Sequence, residues 1–149
     1  MSETPAKPKI AHRKKARNLL LQALYQWQLS KNPVVDIEAQ FRSDNAAKID
    51  WDFFHQAFSF VPLHLEELDN AFSPFLDRDI GSLNPVELAL LRLGCFEFMQ
   101  RIDVPYKVVI NEYVDLAKKY GATDSHKYIN GVLDKAARTI RAVEINAQK

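Results

Sequence analysis

Four cations, Arg13, Lys14, Lys15 and Arg17, crowd the start of the stretch HRKKARNLLLQALYQWQLS, which then becomes an amphipathic run. Cations at a helix start oppose the macrodipole, at roughly 0.3–1 kcal/mol each when exposed. A bound polyanion reverses that sign, because phosphates favour both the cations and the free amide groups of a helix N-terminus. On a helical wheel Lys14, Lys15, Asn18, Gln22 and Gln26 share the face opposite the apolar stripe, with Tyr25 at its border. A frayed, solvated helix start is the plainer account of the same residues.

A second segment, GATDSHKYINGVLDKAA, opens another helix with Asp124, Ser125, His126, Lys127 and Tyr128 in its cap and first turn. Ser125 can cap the backbone or donate to a phosphate, and Lys127 supplies charge. Tyr128 falls off the apolar stripe, which predicts a partly exposed ring. An aromatic beside cations is suited to stacking unpaired bases. Asp124 opposes phosphate by charge, which leaves it the roles of helix cap or contact to a base edge that donates hydrogen bonds.

Other chemistry lacks its parts. The chain has no Gly-rich phosphate loop, no HExxH, no CxxC and no serine in a nucleophile-elbow context. His12, His55, His64 and His126 are scattered, and His64 with Glu67 one turn on is too little for a metal site. The single cysteine, Cys95, excludes an internal disulfide and a multi-cysteine zinc site. Neither an enzyme nor a cofactor nor a bound metal is expected. The net charge of +1 conceals an asymmetry: residues 1–17 carry +5 and the remainder −4. A basic arm on a slightly acidic body points to a local anionic partner. No apolar run approaches the ~20 residues of a membrane span. No secretory signal opens the chain, so a cytoplasmic location is expected.

The elements that must position these residues are helical almost throughout. At 149 residues, 47% hydrophobic and 26% charged, the chain is expected to form one soluble domain with a real core. Residues 1–10, with Pro5 and Pro8, are expected to form a flexible basic tail, 11–141 an all-helical binding domain, and 142–149 a frayed tail. Ala16, Leu20, Ala23, Leu24 and Trp27 form one helical stripe that ends at Asn32-Pro33. Asp36 is placed to cap a short helix, and a polar loop, SDNAAK, follows it. Asp50 is placed to cap a long segment whose Trp51, Phe54, Phe58, Val61, Leu65, Leu68 and Phe72 continue through Pro62, as one kinked helix or two in series. These aromatics are core. Ser73-Pro74 begins another short turn.

Asn84, Pro85 and Glu87 form a helix start with cap, first-turn proline and a capping-box acid. The helix after them is apolar on nearly every side, so Arg92 needs a partner, such as Glu97 or a helix-end carbonyl, and Cys95 is an inert core thiol. Pro105 opens a helix that carries Tyr106, Ile110, Tyr113, Val114 and Ala117 inward, with Gly121 where a left-handed cap belongs. In the last helix Ile129, Val132, Leu133, Ala136 and Ile140 form the stripe, and Gly131 is expected to permit close helix approach. The sum is an all-α fold of six to seven helices.

The segments RKKARNLLLQALYQWQLS, NPVELALLRLGCFE and VPYKVVINEYVDLAKKYGATDSHKYINGVLDKAAR resemble the NusB family of bacterial transcription antitermination factors, over residues 10–140. The resemblance implies an all-helical fold without catalytic activity. It implies binding of boxA-type single-stranded RNA in ribosomal RNA leaders together with NusE, a small-subunit ribosomal protein. Association with RNA polymerase and other Nus factors, to support read-through, is implied as well. The family's arginine-rich motif falls on Arg13, Lys14, Lys15 and Arg17, where two lysines keep charge but lose the planar fork of arginine. Its second RNA-contacting segment matches Asp124, Ser125, Lys127 and Tyr128, with tyrosine where phenylalanine is common. Tyr25 and Glu87 match positions of protein or RNA contact. A homodimer is a further association that the resemblance leaves open. The competing possibility is a protein–protein adaptor without RNA specificity of its own.

Overall fold

The computed structural model describes residues 10–45 and 48–147. Residues 1–9 of the tail expected at 1–10, the loop residues 46–47 and the last two positions lie outside the described residues, and Ile10 belongs to the first helix. The described chain is all-α: α1 (Ile10–Ser30), α2 (Val34–Asp44), α3 (Trp51–Leu63), α4 (Leu65–Phe72), α5 (Pro85–Gln100), α6 (Tyr106–Tyr120), α7 (Ser125–Ile140) and α8 (Ala142–Ala147). Two 3-10 turns, Ser73–Phe75 and Ile80–Ser82, lie between α4 and α5. The chain groups into two compact units, one ending at Ser59 and the other beginning at Phe60.

In the first unit α1 buries Ala16, Leu20, Leu21, Ala23 and Leu24 and packs on α2. Pro33, rather than Asp36, stands at the N-cap of α2, and Asp36 lies in its first turn. The proline supplies a fixed φ and accepts through its carbonyl from the Asp36 and Ile37 amides. Asp50 does cap α3: its Oδ1 accepts from the Phe53 amide at 3.0 Å. The fully buried Phe54 and Phe58 rings lie 5.7 Å apart. Glu38 of α2 is buried at the junction of α2 and α3, where His55 Nδ1 lies 3.0 Å from its carboxylate and Arg42 Nη2 2.9 Å.

Of the two outcomes open at Pro62, the structure has two helices in series. α3 ends at Leu63, and His64 separates it from α4. The His64 amide turns to the Val61 carbonyl, and its Nδ1 takes the Phe60 carbonyl at 2.8 Å. His64 thus supplies a partner to both the Phe60 and the Val61 carbonyl at the helix break.

The second unit is built on α5, α6 and α7, packed on one another, with α4 against α5 and α7. As its composition predicts, α5 is buried on nearly every side. Asn84 caps it by accepting from the Glu87 amide at 2.8 Å. Arg92 grips Asp69 of α4 through two 2.9 Å bonds, while Glu97 accepts from the buried Tyr113 hydroxyl. Cys95 is fully buried, and desolvation pushes its thiol pKa far up, as an inert core thiol requires.

The glycines depart from expectation. Gly121 is extended (φ −87°), and the left-handed residue of that turn is Asp124 (φ 65°). Gly121 is needed because a Cβ there would stand 2.7 Å from the Ala117 carbonyl oxygen. Gly131 faces open space, with nothing within 4 Å of a Cβ. The close approach falls at Gly94 instead, where a Cβ would meet Leu133 Cδ2 at 2.8 Å.

Residues 142–147, assigned by the sequence to a frayed tail, form α8 behind Arg141. That arginine is buried, and its guanidinium donates to the carbonyls of Phe98, Glu97 and Arg101 at the end of α5. It also donates to Glu144 of α8, whose carboxylate accepts in turn from the Tyr106 amide at the start of α6. The Phe98 carbonyl takes its donor from this side chain, while those of Glu97 and Arg101 also accept the Arg101 and Val104 amides.

Candidate nucleic-acid interface

The four N-terminal cations divide by helix face. Arg17 is only 4% exposed, with its guanidinium 5.3 Å from the Phe53 ring centroid. Arg13 lies 5.0 Å over the same ring, and its Nε donates to Asp50 at 3.2 Å. Both arginines therefore fasten α1 to the start of α3, within the first unit. Lys14 and Lys15 are exposed, as is Tyr25 three turns further along α1. The 3.6-residue period explains the split: positions 13 and 17 share the face that carries Ala16 and Leu20, and 14 and 15 do not.

The start of α7 sorts its residues as sharply. Ser125 is buried, and its Oγ donates to Glu87 at 3.0 Å. Glu87 is itself buried near the N-terminus of α5, so this bond ties two helix starts together. Asp124, at the N-cap position, makes no side-chain cap bond and instead pairs with Lys127 at 3.4 Å. The Lys127 and Asp124 side chains are 72% and 66% exposed, so the pair is open to solvent and worth little to stability.

Tyr128 is half-buried, and the reason lies in the loop between the 3-10 turns. Its hydroxyl accepts from the Asp77 amide at 3.4 Å, and the Arg78 guanidinium lies 4.5 Å from its ring centroid. Arg78 is in turn held by Asp77, at 2.7 Å. That hydrogen bond from Arg78 is the main reason the Asp77 carboxyl sits below its ordinary pKa, while burial pushes the Tyr128 phenol up. Sequence reasoning missed Asp77 and Arg78. Their only local signal is a charged run, DRD, between Pro74 and Gly81, and nothing local announces an aromatic partner 50 residues away.

Among the described residues no group of three or more His, Cys, Asp or Glu could hold a metal ion. No described helix is long and apolar enough to cross a membrane. What the second unit offers is the exposed Arg78 against a held Tyr128 ring, with the exposed Lys127 just before it in α7. The first unit offers the exposed Lys14 and Lys15.

The NusB family model matches residues 14–138. A transcription antitermination protein NusB of Pseudomonas savastanoi pv. phaseolicola is 51% identical over 99% of this chain and 90% of its own. That of Idiomarina loihiensis is 54% identical over 89% of this chain and 96% of its own. Among solved structures, T. maritima NusB superposes with a TM-score of 0.75 at 26% identity, covering 92% of this chain and 93% of that one. NusB in a crystal structure of the antitermination factors NusB and NusE in complex with dsRNA gives 0.77 at 27% identity, over 87% and 98%. This chain belongs to the NusB family of non-catalytic transcription antitermination factors.

Proposed function

We propose that this protein binds a boxA-type single-stranded RNA of ribosomal RNA leaders together with NusE, and thereby supports read-through by RNA polymerase with other Nus factors in the cytoplasm. Lys14 and Lys15 of α1, and Lys127 and Tyr128 of α7, are the direct RNA contacts in this proposal. The observation that carries it is the start of α7, where an exposed lysine and a held, half-open tyrosine ring follow a left-handed Asp124. A flexible lysine supplies charge to a phosphate, a ring supplies a stacking face, and Asp124 supplies an acceptor for a base edge.

Arg13, Arg17, Ser125 and Glu87 act one step back. Arg13 and Arg17 set the pitch of α1 against Phe53, and Ser125 with Glu87 fixes the first turn of α7. Tyr25, exposed on α1, is assigned to contact with the partner protein. Support for NusE and RNA as partners comes from the family relationship and from the solved NusB–NusE complex with dsRNA.

The test is fluorescence anisotropy of a labelled boxA-like single strand against a scrambled strand, with and without NusE, across several salt concentrations. Tighter binding of the boxA-like strand, enhanced by NusE, is the expected result. Equal binding to both strands with no response to NusE would leave the adaptor without RNA specificity. A homodimer, if it forms, reads out as a doubled mass in light scattering, and competition with RNA would place the dimer contact on the RNA-binding face.

A further inference from the structure

We infer that Arg78 is a further RNA-contacting residue: its guanidinium, now stacked on the Tyr128 ring and held by Asp77, passes to a backbone phosphate when a base stacks beside that ring. The inference rests on the proposed binding of single-stranded RNA at α7 and adds a residue and an exchange step to it.

Three observations converge on this loop. The Arg78 guanidinium lies 4.5 Å from the Tyr128 centroid, within cation–π range and on the ring that the proposal uses for stacking. Nε and Nη2 of Arg78 both donate to the Asp77 carboxylate, at 2.7 and 3.4 Å. A carboxylate and a phosphate present the same forked acceptor to a guanidinium, so Asp77 occupies the place a phosphate would take. The Asp77 amide donates to the Tyr128 hydroxyl, and the Asp77 carboxylate interacts with both that hydroxyl and Arg78. The charge of Asp77 is separable from its hold on the ring: the amide and a neutral side-chain oxygen suffice for the hydroxyl, while the negative charge restrains the cation.

Both side chains of the Asp77–Arg78 pair are substantially exposed, at 66% and 43%. Such a pair exchanges readily, because water already competes for it. The loop lies between two 3-10 turns, and its backbone is fixed by Leu76 N–H to Ser73 O and Ser82 N–H to Asp79 O. The exchange therefore needs only a side-chain rotation. A guanidinium plane also stacks on bases, so Arg78 can leave the ring without losing its place beside the strand.

The experiment measures boxA-like single-stranded RNA binding by anisotropy over a salt series for the full-length protein and its Arg78→Ala, Asp77→Asn and Lys127→Ala variants. For Arg78→Ala, affinity should fall by roughly threefold to tenfold at low salt, and the slope of log K against log salt should become shallower by about 0.7, one phosphate on a single strand. Asp77→Asn keeps the amide that holds Tyr128 and a side-chain oxygen for its hydroxyl, and removes the competing charge, so binding should tighten; a purely structural role for the pair predicts weakening. Melting temperatures of both variants should match the parent. If Lys127→Ala weakens binding while Arg78→Ala keeps the parental slope and affinity, the assignment of Arg78 is overturned and the RNA-binding proposal stands. If the parent shows no salt-dependent RNA binding, both fall.

Discussion

Cations of the same formal charge do different work in this chain, and burial tells which. Arg17, buried against Phe53, and the exposed Lys15 lie two residues apart on one helix. Arg17→Ala should lower the melting temperature, since it removes a guanidinium packed on a core ring. Lys15→Ala should leave that temperature unchanged and weaken RNA binding alone. Thermal melts beside anisotropy titrations separate the two, and a stable Arg17→Ala with lost binding would put Arg17 among the direct contacts. Arg141 is the extreme case, with three backbone carbonyls and Glu144 on one buried head. Its alanine variant strands the Phe98 carbonyl and takes away the partner of Glu144, and should cost about 1–3 kcal/mol in chemical denaturation. Residue types and helical period made the exposed lysines and the off-stripe Tyr128 legible in the sequence. Arg141 was not legible, because its partners are backbone carbonyls 40 to 44 residues away and a carbonyl has no letter.

Helix starts were the clearest signals along the chain, and helix-to-helix distances the least clear. Asn84 and Asp50 cap as their types predict, since a cap is settled within three residues. Pro62 left two outcomes open because a proline fixes where a hydrogen bond is missing but not how the chain repairs it; His64 decided that here. The glycines were misjudged for a related reason. Whether a glycine serves a turn or a close approach depends on what faces it, and sequence spacing is silent on that. Opposite outcomes follow for Gly94 and Gly131, both inside helices. Gly131→Ala meets open space and removes the entropic cost of a helical glycine, so it should stabilise by about 0.5–1 kcal/mol. Gly94→Ala drives a methyl into the buried Leu133 and should destabilise by about 1–3 kcal/mol, the range for overpacking a core. Denaturant midpoints would check both, and equal shifts of one sign would refute this account of the packing.

At the scale of the whole molecule, charge is placed rather than accumulated. A protein of net charge +1 does not draw a polyanion to its surface at large, and the acidic balance of residues 18–149 repels one. RNA binding, as proposed, is then confined to a few of the exposed cations: Lys14 and Lys15 on α1, Lys127 on α7, and Arg78 against the Tyr128 ring. Four phosphates neutralised on a single strand give a salt slope of roughly −3. Charge reversal should follow location and not total. Lys107, exposed at the start of α6, lies the length of that helix from the α6–α7 turn. Lys107→Glu changes the net charge by as much as Lys127→Glu does, and Lys107 stands where an acid suits the helix dipole. Lys127→Glu should weaken RNA binding at least tenfold at low salt, from one lost phosphate contact and one new repulsion. Lys107→Glu should leave both affinity and slope near the parental values. Equal losses in the two variants would mean that RNA senses only overall charge, and the assignment of contacts to α7 would fail.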